Sequence, residues 1–428
     1  MEPHEQLLQW AEAKGVKLDG IAPQRLPGRG VGIVATRAIQ PDEILLEVPA
    51  KCLRSIETVP KSLSRRLPRD ISVHGLLAAD LALDTTDTYA AWNAVCPTPA
   101  DFASMPLYWS PELQALLPGP ARRLLAQQRA KVERDWAAAS KLFRSSSSSS
   151  PPSLDVVDVY EEEAVNGDKK TEKTKTTEEE EQETAKQKAP RLRRRAKEDR
   201  MVLQPVADLF NHAGSRTGWC HVAFDAASFT VRADRRYEAG DEVRICYGRH
   251  GGDLLLVEYG FVLGGDVDDD DDTNGHEWLE ENYWDEVGLD DVLLPRLSDS
   301  AKDKLSEVGF LGGYVLDAGN VCYRTQVALR ALCCLQTGRE EEWRRFIEDG
   351  EDADAARQGE VDGLFISMLE EYREQTIGKT LLKVAAMKDE EGSSKDQREL
   401  LCKRWRHVDR LVRITIERLK SETTNKTL

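Results

Sequence analysis

Two tyrosines stand twelve positions apart in the stretch GDEVRICYGRHGGDLLLVEYGFVL, residues 240–263, and each is followed by glycine. Between Tyr247 and Tyr259 runs a largely aliphatic segment. A phenol carries a hydrogen-bonding tip on an apolar ring, so such a pair can close a core or wall a narrow pocket. Spacing alone leaves both readings open. Upstream, PVADLFNHAG brings Asp208, Asn211 and His212 into one short segment. Asparagine and histidine offer directional donors and acceptors suited to a purine edge or a carboxylate. In isolation the simpler reading has Asn211 capping local backbone and His212 as a satisfied core histidine. No metal site is expected, because the sequence supplies no spaced partner ligand for His212.

A third candidate is PGRGVGIVATRAI, with Gly28, Gly30 and Gly32 at alternate positions. A dinucleotide-binding fingerprint needs a strand before the glycines and a helix after them. Here a β-like run follows, so that reading fails on context. The glycines instead let backbone approach a ligand, or make a tight turn before a strand.

The elements that must position these residues are legible in outline. HEQLLQWAEAKG has helical spacing, with Leu7, Leu8 and Ala11 on one side and Gly15 as a stop. Short β-like runs follow, residues 31–39 and 44–49, around a Pro41-Asp42 turn. Residues 73–143 turn helical, with Ser110 as an N-cap and Pro111 at the first helical position. Residues 145–190 are low-complexity, a serine run and then mixed charge, and are expected to be disordered. The alternation in HVAFDAASFTVRADRRYEAGDEVRICYG predicts a β-meander. Beyond the acidic tract at 266–275, apolar stripes at three- and four-residue spacing run to the end of the chain.

Composition bounds the function classes. The chain has 428 residues, 40% of them hydrophobic and 32% charged, enough for two or three domains with cores of their own. Its net charge of −17 argues against sequence-independent binding of nucleic acid, whose phosphates the chain's own field would repel. The first residues lack the basic-then-apolar pattern of a secretory signal, and no window of eighteen apolar residues predicts a membrane span. Eight cysteines without a C-x-x-C pair suggest neither a structural zinc site nor a disulfide framework, so reduced thiols in the cytoplasm or nucleus are expected.

Order along the chain changes the odds for the three candidates. G-R-G-x-G ahead of a β-rich segment, then D-x-x-N-H, then G-D-E-V-x-I-x-Y-G and Y-G-F, together resemble the SET-domain methyltransferases. Within them the chain resembles the class of the Rubisco large-subunit lysine methyltransferase, and its fungal-type members, in segments such as LLAQQRAKVERDW and WDEVGLDDVLLP. The resemblance covers most of the chain outside 145–190.

It implies an α+β fold. A β-rich SET domain with a knot-like crossing is interrupted by a helical insert and followed by an all-α C-terminal domain. The expected division is an N-terminal helix at 1–20, SET domain at 21–72 and 191–264, insert at 73–144, disordered segment at 145–190, acidic loop at 265–276 and helical substrate-binding domain at 277–428. The implied cofactor is S-adenosylmethionine, contacted by Arg29, Gly30, Val31, Asp208, Asn211, His212 and Tyr247. Tyr247 is also the implied catalytic residue, and Tyr259 and Phe261 the walls of a lysine channel.

The implied reaction is methylation of a lysine in a non-histone protein, with ribosomal or translation-related targets favoured. The implied partner is a protein substrate bearing that lysine. Neither nucleic acid nor membrane is an expected partner, and a monomer is expected. Methylation of histidine, or a catalytically silent binding module, are the alternatives. Members of the class carry a helix rich in Trp, Asn, Thr and Arg ahead of the D-x-x-N-H segment. This sequence has RLRRRAK there instead, with Arg191 and Arg195 at roughly the distance needed to replace that helix's arginines.

Overall fold

The computed structural model describes residues 2–27, 29–145, 201–264, 282–350, 355–388 and 394–427. Gly28, the acidic tract, the serine-rich segment and the candidates Arg191 and Arg195 lie outside these residues. Eleven strands occur among the described residues: β1 (Lys17–Leu18), β2 (Ile21–Leu26), β3 (Gly30–Ala35), β4 (Ile44–Pro49), β5 (Arg54–Ser55), β6 (Val202–Leu203), β7 (His221–Phe224), β8 (Ser228–Arg232), β9 (Glu242–Val243), β10 (Glu286–Gly288) and β11 (Val315–Asp317). The chain forms two compact units, one of residues 1–52, 87–131 and 205–428, the other of residues 53–86 and 132–204.

The first unit holds two small antiparallel sheets of order β1-β4-β8-β7 and β2-β3-β9. The expected N-terminal helix runs over Pro3–Ala13, with proline in its first turn, Leu7 and Ala11 buried and Gly15 at φ +94° just beyond it. A turn after Leu26 reverses the chain, and β3 pairs back on β2 with Leu26 opposite Gly30 and Arg25 opposite Val31. Gly30 takes φ +71°, a conformation glycine adopts without a steric penalty. Asp42, in the expected turn, sits at φ 67°, and its N–H donates to the Ala233 carbonyl.

The meander is only partly formed. β7 and β8 make a hairpin, closed by Asp225, whose carboxylate accepts from the Ala227 and Ser228 N–H groups at 2.7 and 2.8 Å. β9 leaves that sheet and pairs with β3 instead, Ile33 opposite Val243. Alternation reads strand character but not which sheet receives the strand.

Ser110 caps the short helix Pro111–Ala115 as expected, its hydroxyl accepting from the Leu113 N–H. After Pro118 a long helix, Gly119–Ser145, begins. The helices from Asp299 onward, with β11, share one core with the start of that helix: Leu305, Leu316, Ala328, Phe365, Leu401 and Leu411 are essentially inaccessible to solvent. The last and longest helix, Lys395–Thr427, buries Leu401, Trp405, Val408 and Val412, the three- and four-residue rhythm of a single face.

The second unit contains the helix Val73–Leu83, capped by Ser72, and the β5-β6 pair. Val59, Leu63, Leu77 and Leu142 form its core. Arg54 is buried with its guanidinium on Asp80 at 2.9 Å and Asp84 at 3.3 Å. That arrangement satisfies a charge which would otherwise be prohibitive to bury.

Candidate active site

The site is made where two distant segments lie side by side. His212 and Ile245 form a parallel bridge, and so do Cys220 and Ile245. The Ala213 N–H donates to the Ile245 carbonyl, the Ile245 N–H to the Asn211 carbonyl, and the Cys220 N–H to the Arg244 carbonyl. Residues 244–246 are therefore held on both edges by the two arms of one loop, residues 211–220. This is the crossing through which sequence-distant side chains meet.

Tyr247 follows directly on that segment. Its main-chain N–H donates to His212 Nδ1 at 3.1 Å, and its hydroxyl donates to the Phe210 carbonyl at 2.6 Å. The His212 and Tyr247 rings stack with centroids 5.0 Å apart. Tyr259 lies 5.2 Å from Tyr247, and Phe261 lies 6.1 Å from Tyr259 and 6.2 Å from His212. The four rings thus form one closed set. Tyr259 remains 41% exposed, so the set opens to solvent at its end.

The stretch between the two phenols is core. After Gly251 the chain makes one helical turn and a π turn, Leu255–Tyr259, in which Leu255, Leu256 and Val257 are fully buried. Gly260, at φ 75°, ends the turn where an added Cβ would strike Ser104 Oγ and the Met105 backbone. A buried arginine on the last helix anchors the start of this stretch. Arg404 bonds Asp253 through Nε and Asp285 through Nη1, both at 2.7 Å, and Asp285 also accepts from the Gly252 N–H at 2.8 Å.

The glycine motif joins the site through a residue the sequence reading gave no role. Glu242, on β9, accepts from Asn211 Nδ2 at 2.8 Å and from the Arg29 guanidinium with its other oxygen. Asn211, Glu242 and Arg29 make a polar chain between the crossing and the β2-β3 turn. Gly32 lies under it, where an added Cβ would come within 2.6 Å of Asn211 Nδ2 and 2.5 Å of Leu26 Cδ1. A Cβ on Gly30 would meet nothing within 4 Å, so the backbone there borders open space. Val31 is half-buried in β3, and Asp208 is exposed on the turn Ala207–Leu209. Asp208 is close enough to act on Tyr247 through its charge.

Electrostatics fix the protonation states. Burial, with the Tyr259, Asp208 and Glu242 charges behind it, pushes the Tyr247 phenol well above its ordinary range. Tyr247 is therefore a donor at neutral pH and not a base. Burial, helped by His250 and Arg244, lowers His212 to about 4. Its neutral ring accepts from Tyr247 on Nδ1 and so carries its proton on Nε2. That Nε2 is buried and has no hydrogen-bond partner. A buried donor without a partner marks a place where a ligand atom belongs.

Sequence reasoning missed Glu242, the Phe210 carbonyl, His250 and Arg404. Glu242 had a signal, since it sits inside the G-D-E-V motif one strand position from the apolar Val243. Arg404 had none, being 151 residues from Asp253. Among the described residues no group of His, Cys, Asp and Glu side chains could hold a metal ion, and no helix is long and apolar enough to cross a membrane.

A family model described as SET domain matches residues 30–248, slightly more than half of the chain and the span that holds the glycine motif, the crossing and Tyr247. The chain belongs to the SET-domain family. It is 24% identical over 442 residues to the human SET domain-containing protein 4, covering 98% of this chain and 92% of that protein. A shorter stretch of 66 residues, 15% of this chain and 17% of the relative, is 36% identical to the ribosomal lysine N-methyltransferase set11 of Schizosaccharomyces pombe. Among solved structures, Rubisco LSMT bound to sinefungin and monomethyllysine superposes with a TM-score of 0.59 at 14% identity, over 100% of this chain and 92% of that one. That likeness establishes the fold: a SET fold with a helical C-terminal region.

Proposed function

We propose that the chain is an S-adenosylmethionine-dependent protein-lysine methyltransferase acting on a non-histone protein, with a ribosomal or translation-related protein as its substrate class. One observation carries the reading. Four rings from segments far apart, His212, Tyr247, Tyr259 and Phe261, pack into one aromatic frame at the crossing, and the polar chain Asn211–Glu242–Arg29 runs from that crossing to the glycine turn. Membership of the SET family, the fold shared with Rubisco LSMT and the likeness to a ribosomal lysine N-methyltransferase support the same conclusion.

The residues present fit the cofactor. The partnerless His212 Nε2 supplies a buried donor, and the backbone at Gly30 borders space that a ligand can enter. Arg29, Gly30, Val31, Asp208, Asn211, His212 and Tyr247 would hold it, and when bound it supplies an electrophilic methyl group on a sulfonium. Everything else falls to the chain. Tyr259 and Phe261 surround the aliphatic stem of the incoming lysine and exclude water from its amine. Desolvation there favours the neutral amine over the ammonium, which in water has a pKa near 10.4. Tyr247, kept protonated, orients the reacting groups through its hydroxyl and leaves the lysine proton to solvent. The gain is alignment of nucleophile and electrophile within one rigid aromatic frame.

Two measurements test this. Isothermal titration with S-adenosylmethionine should show binding, and no binding at millimolar ligand would identify a silent SET-like module instead. Incubating the purified protein with cell lysate and isotopically labelled cofactor, followed by mass spectrometry, should place the label on lysine in a non-histone protein. Label on histidine, or on histones alone, would overturn the assignment.

A further inference from the structure

Two arginines beside the aromatic frame lack an ionic partner. Arg216 lies over the Tyr283 ring with its guanidinium carbon 4.9 Å from the centroid, and Arg249 lies over Trp284 at 4.8 Å. Tyr283 and Trp284 meet edge to face, 4.9 Å between centroids. Among the described residues neither guanidinium makes an ion pair or a hydrogen bond, and both side chains are exposed. The Trp284 indole N–H behind them is buried and has no hydrogen-bond partner. The two exposed guanidiniums are thus cations without a counter-ion among the described residues, in a chain whose net charge is −17.

Its position follows from the crossing. Gly214, two residues past His212, bridges Asn282, and the Tyr283 N–H donates to the Gly214 carbonyl at 3.1 Å. Gly251 packs on the other side, where an added Cβ would lie 3.3 Å from Glu286 Cγ and 3.6 Å from the Trp284 carbonyl oxygen. The segment 282–284 is thus held between residues 214–216 and 249–251, which continue directly from His212 and Tyr247. The His250 ring lies 6.2 Å from that of Tyr259, the exposed member of the frame. A path runs from Tyr259 through His250 to Arg249.

We infer that Arg216, Arg249, Tyr283 and Trp284 form a substrate-recognition patch for a carboxylate side chain close in sequence to the target lysine. A guanidinium held over a ring by its face keeps its edge N–H groups free for a bidentate carboxylate. Little ordering remains to be done on binding. A net charge of −17 disfavours the approach of such a group, so local cations are what can bring it in. The substrate class is therefore a protein whose methylated lysine has Asp or Glu as a near neighbour. This deepens the lysine-methyltransferase reading and relies on it for the identity of the amine. The preference for carboxylate is read by binding rather than turnover, so the two can fail separately.

The experiment uses the full chain and fluorescein-labelled peptides with one central lysine, Asp placed at each flanking position in turn, and Asn in the matched controls. Anisotropy should show at least one Asp register binding about tenfold more tightly than its Asn control, the effect of one charge-assisted contact. The Arg216→Ala/Arg249→Ala double variant should erase that difference while keeping its thermal unfolding midpoint and its affinity for S-adenosylmethionine. Arg216→Lys/Arg249→Lys, which keeps charge but loses the flat fork, should retain part of it. Equal binding of Asp and Asn peptides, absence of peptide binding, or a preference surviving in the double alanine variant would each overturn the inference. So would a double variant that loses cofactor affinity and leaves the peptide preference intact.

Discussion

The main-chain N–H of Tyr247 donates to Nδ1 of His212 at 3.1 Å, and their rings stack 5.0 Å apart. A side chain from the D-x-x-N-H segment thereby fixes the backbone of the catalytic candidate, and this bond exists only while His212 is neutral. Its folded pKa of about 4 lies below the 6.5 of a free imidazole, chiefly through burial. Between those values the unfolded chain binds more protons, so the contribution of His212 is complete above pH 6.5 and is lost as pH falls toward 4. Each pH unit within that window carries at most about 1.4 kcal/mol. Urea unfolding at pH 7 and pH 5 should show the loss, and His212→Gln, which keeps an acceptor but does not titrate, should show less of it. Identical pH dependence in the two proteins would refute the coupling.

Tyr247→Phe removes the hydroxyl that donates to the Phe210 carbonyl and leaves the ring stack in place. We expect turnover to fall at least tenfold, with S-adenosylmethionine affinity changed less than threefold, because the phenol acts on the reacting groups while packing holds the ring. Since the phenol is raised far above neutrality, the pH–rate profile of the wild type should show no limb assignable to it. Equal losses of turnover and cofactor affinity would mean that Tyr247 serves binding alone.

Gly32 and Gly30 should fail differently. Gly32→Ala places a methyl group against Leu26 and Asn211 and should displace Asn211 from Glu242. Overpacking of this kind costs about 1–3 kcal/mol, and cofactor affinity should fall with it. Gly30→Ala meets no atom but must hold φ +71°, a backbone penalty of about 1–2 kcal/mol. Thermal unfolding and calorimetric titration of both variants separate the two effects.

Arg404 should be the most sensitive position outside the frame. Both of its carboxylate partners are buried, and removing the guanidinium leaves them uncompensated. Arg404→Met should destabilise by about 3–5 kcal/mol in denaturant titration. Adding Asp253→Asn and Asp285→Asn should recover a large part of that loss, because the cost lies in the orphaned charges. A triple variant less stable than Arg404→Met would show that the cluster acts by packing.

What was legible in the sequence was local. Ser110 and Pro111 announced a helix start because capping is decided within four residues. Leu7 and Ala11 announced a buried face because four-residue spacing is intrinsic to a helix. Tyr247 and Tyr259, Asn211 and His212 were visible as residue types and as a family pattern, and the structure gathers three of them, with Phe261, into one set of rings. The rest depends on contacts without a local signature. Ile245 is held by residues on both arms of a loop more than twenty positions upstream. β9 pairs with a strand some two hundred residues earlier instead of its neighbour in the sequence. Tyr283 and Trp284 follow an acidic tract that drew attention to its charge and away from the aromatics behind it.

Because Ile245 is hydrogen-bonded on one side to residues 211–213 and on the other flanked by Cys220, the aromatic frame cannot be assembled piecemeal. The loop must close around the later strand, or the later strand must pass into it, once both segments have been synthesised. Competence to hold a ligand therefore arrives in a single step of maturation. A refolding chain should recover its helical signal well before it recovers any capacity to capture a nucleoside.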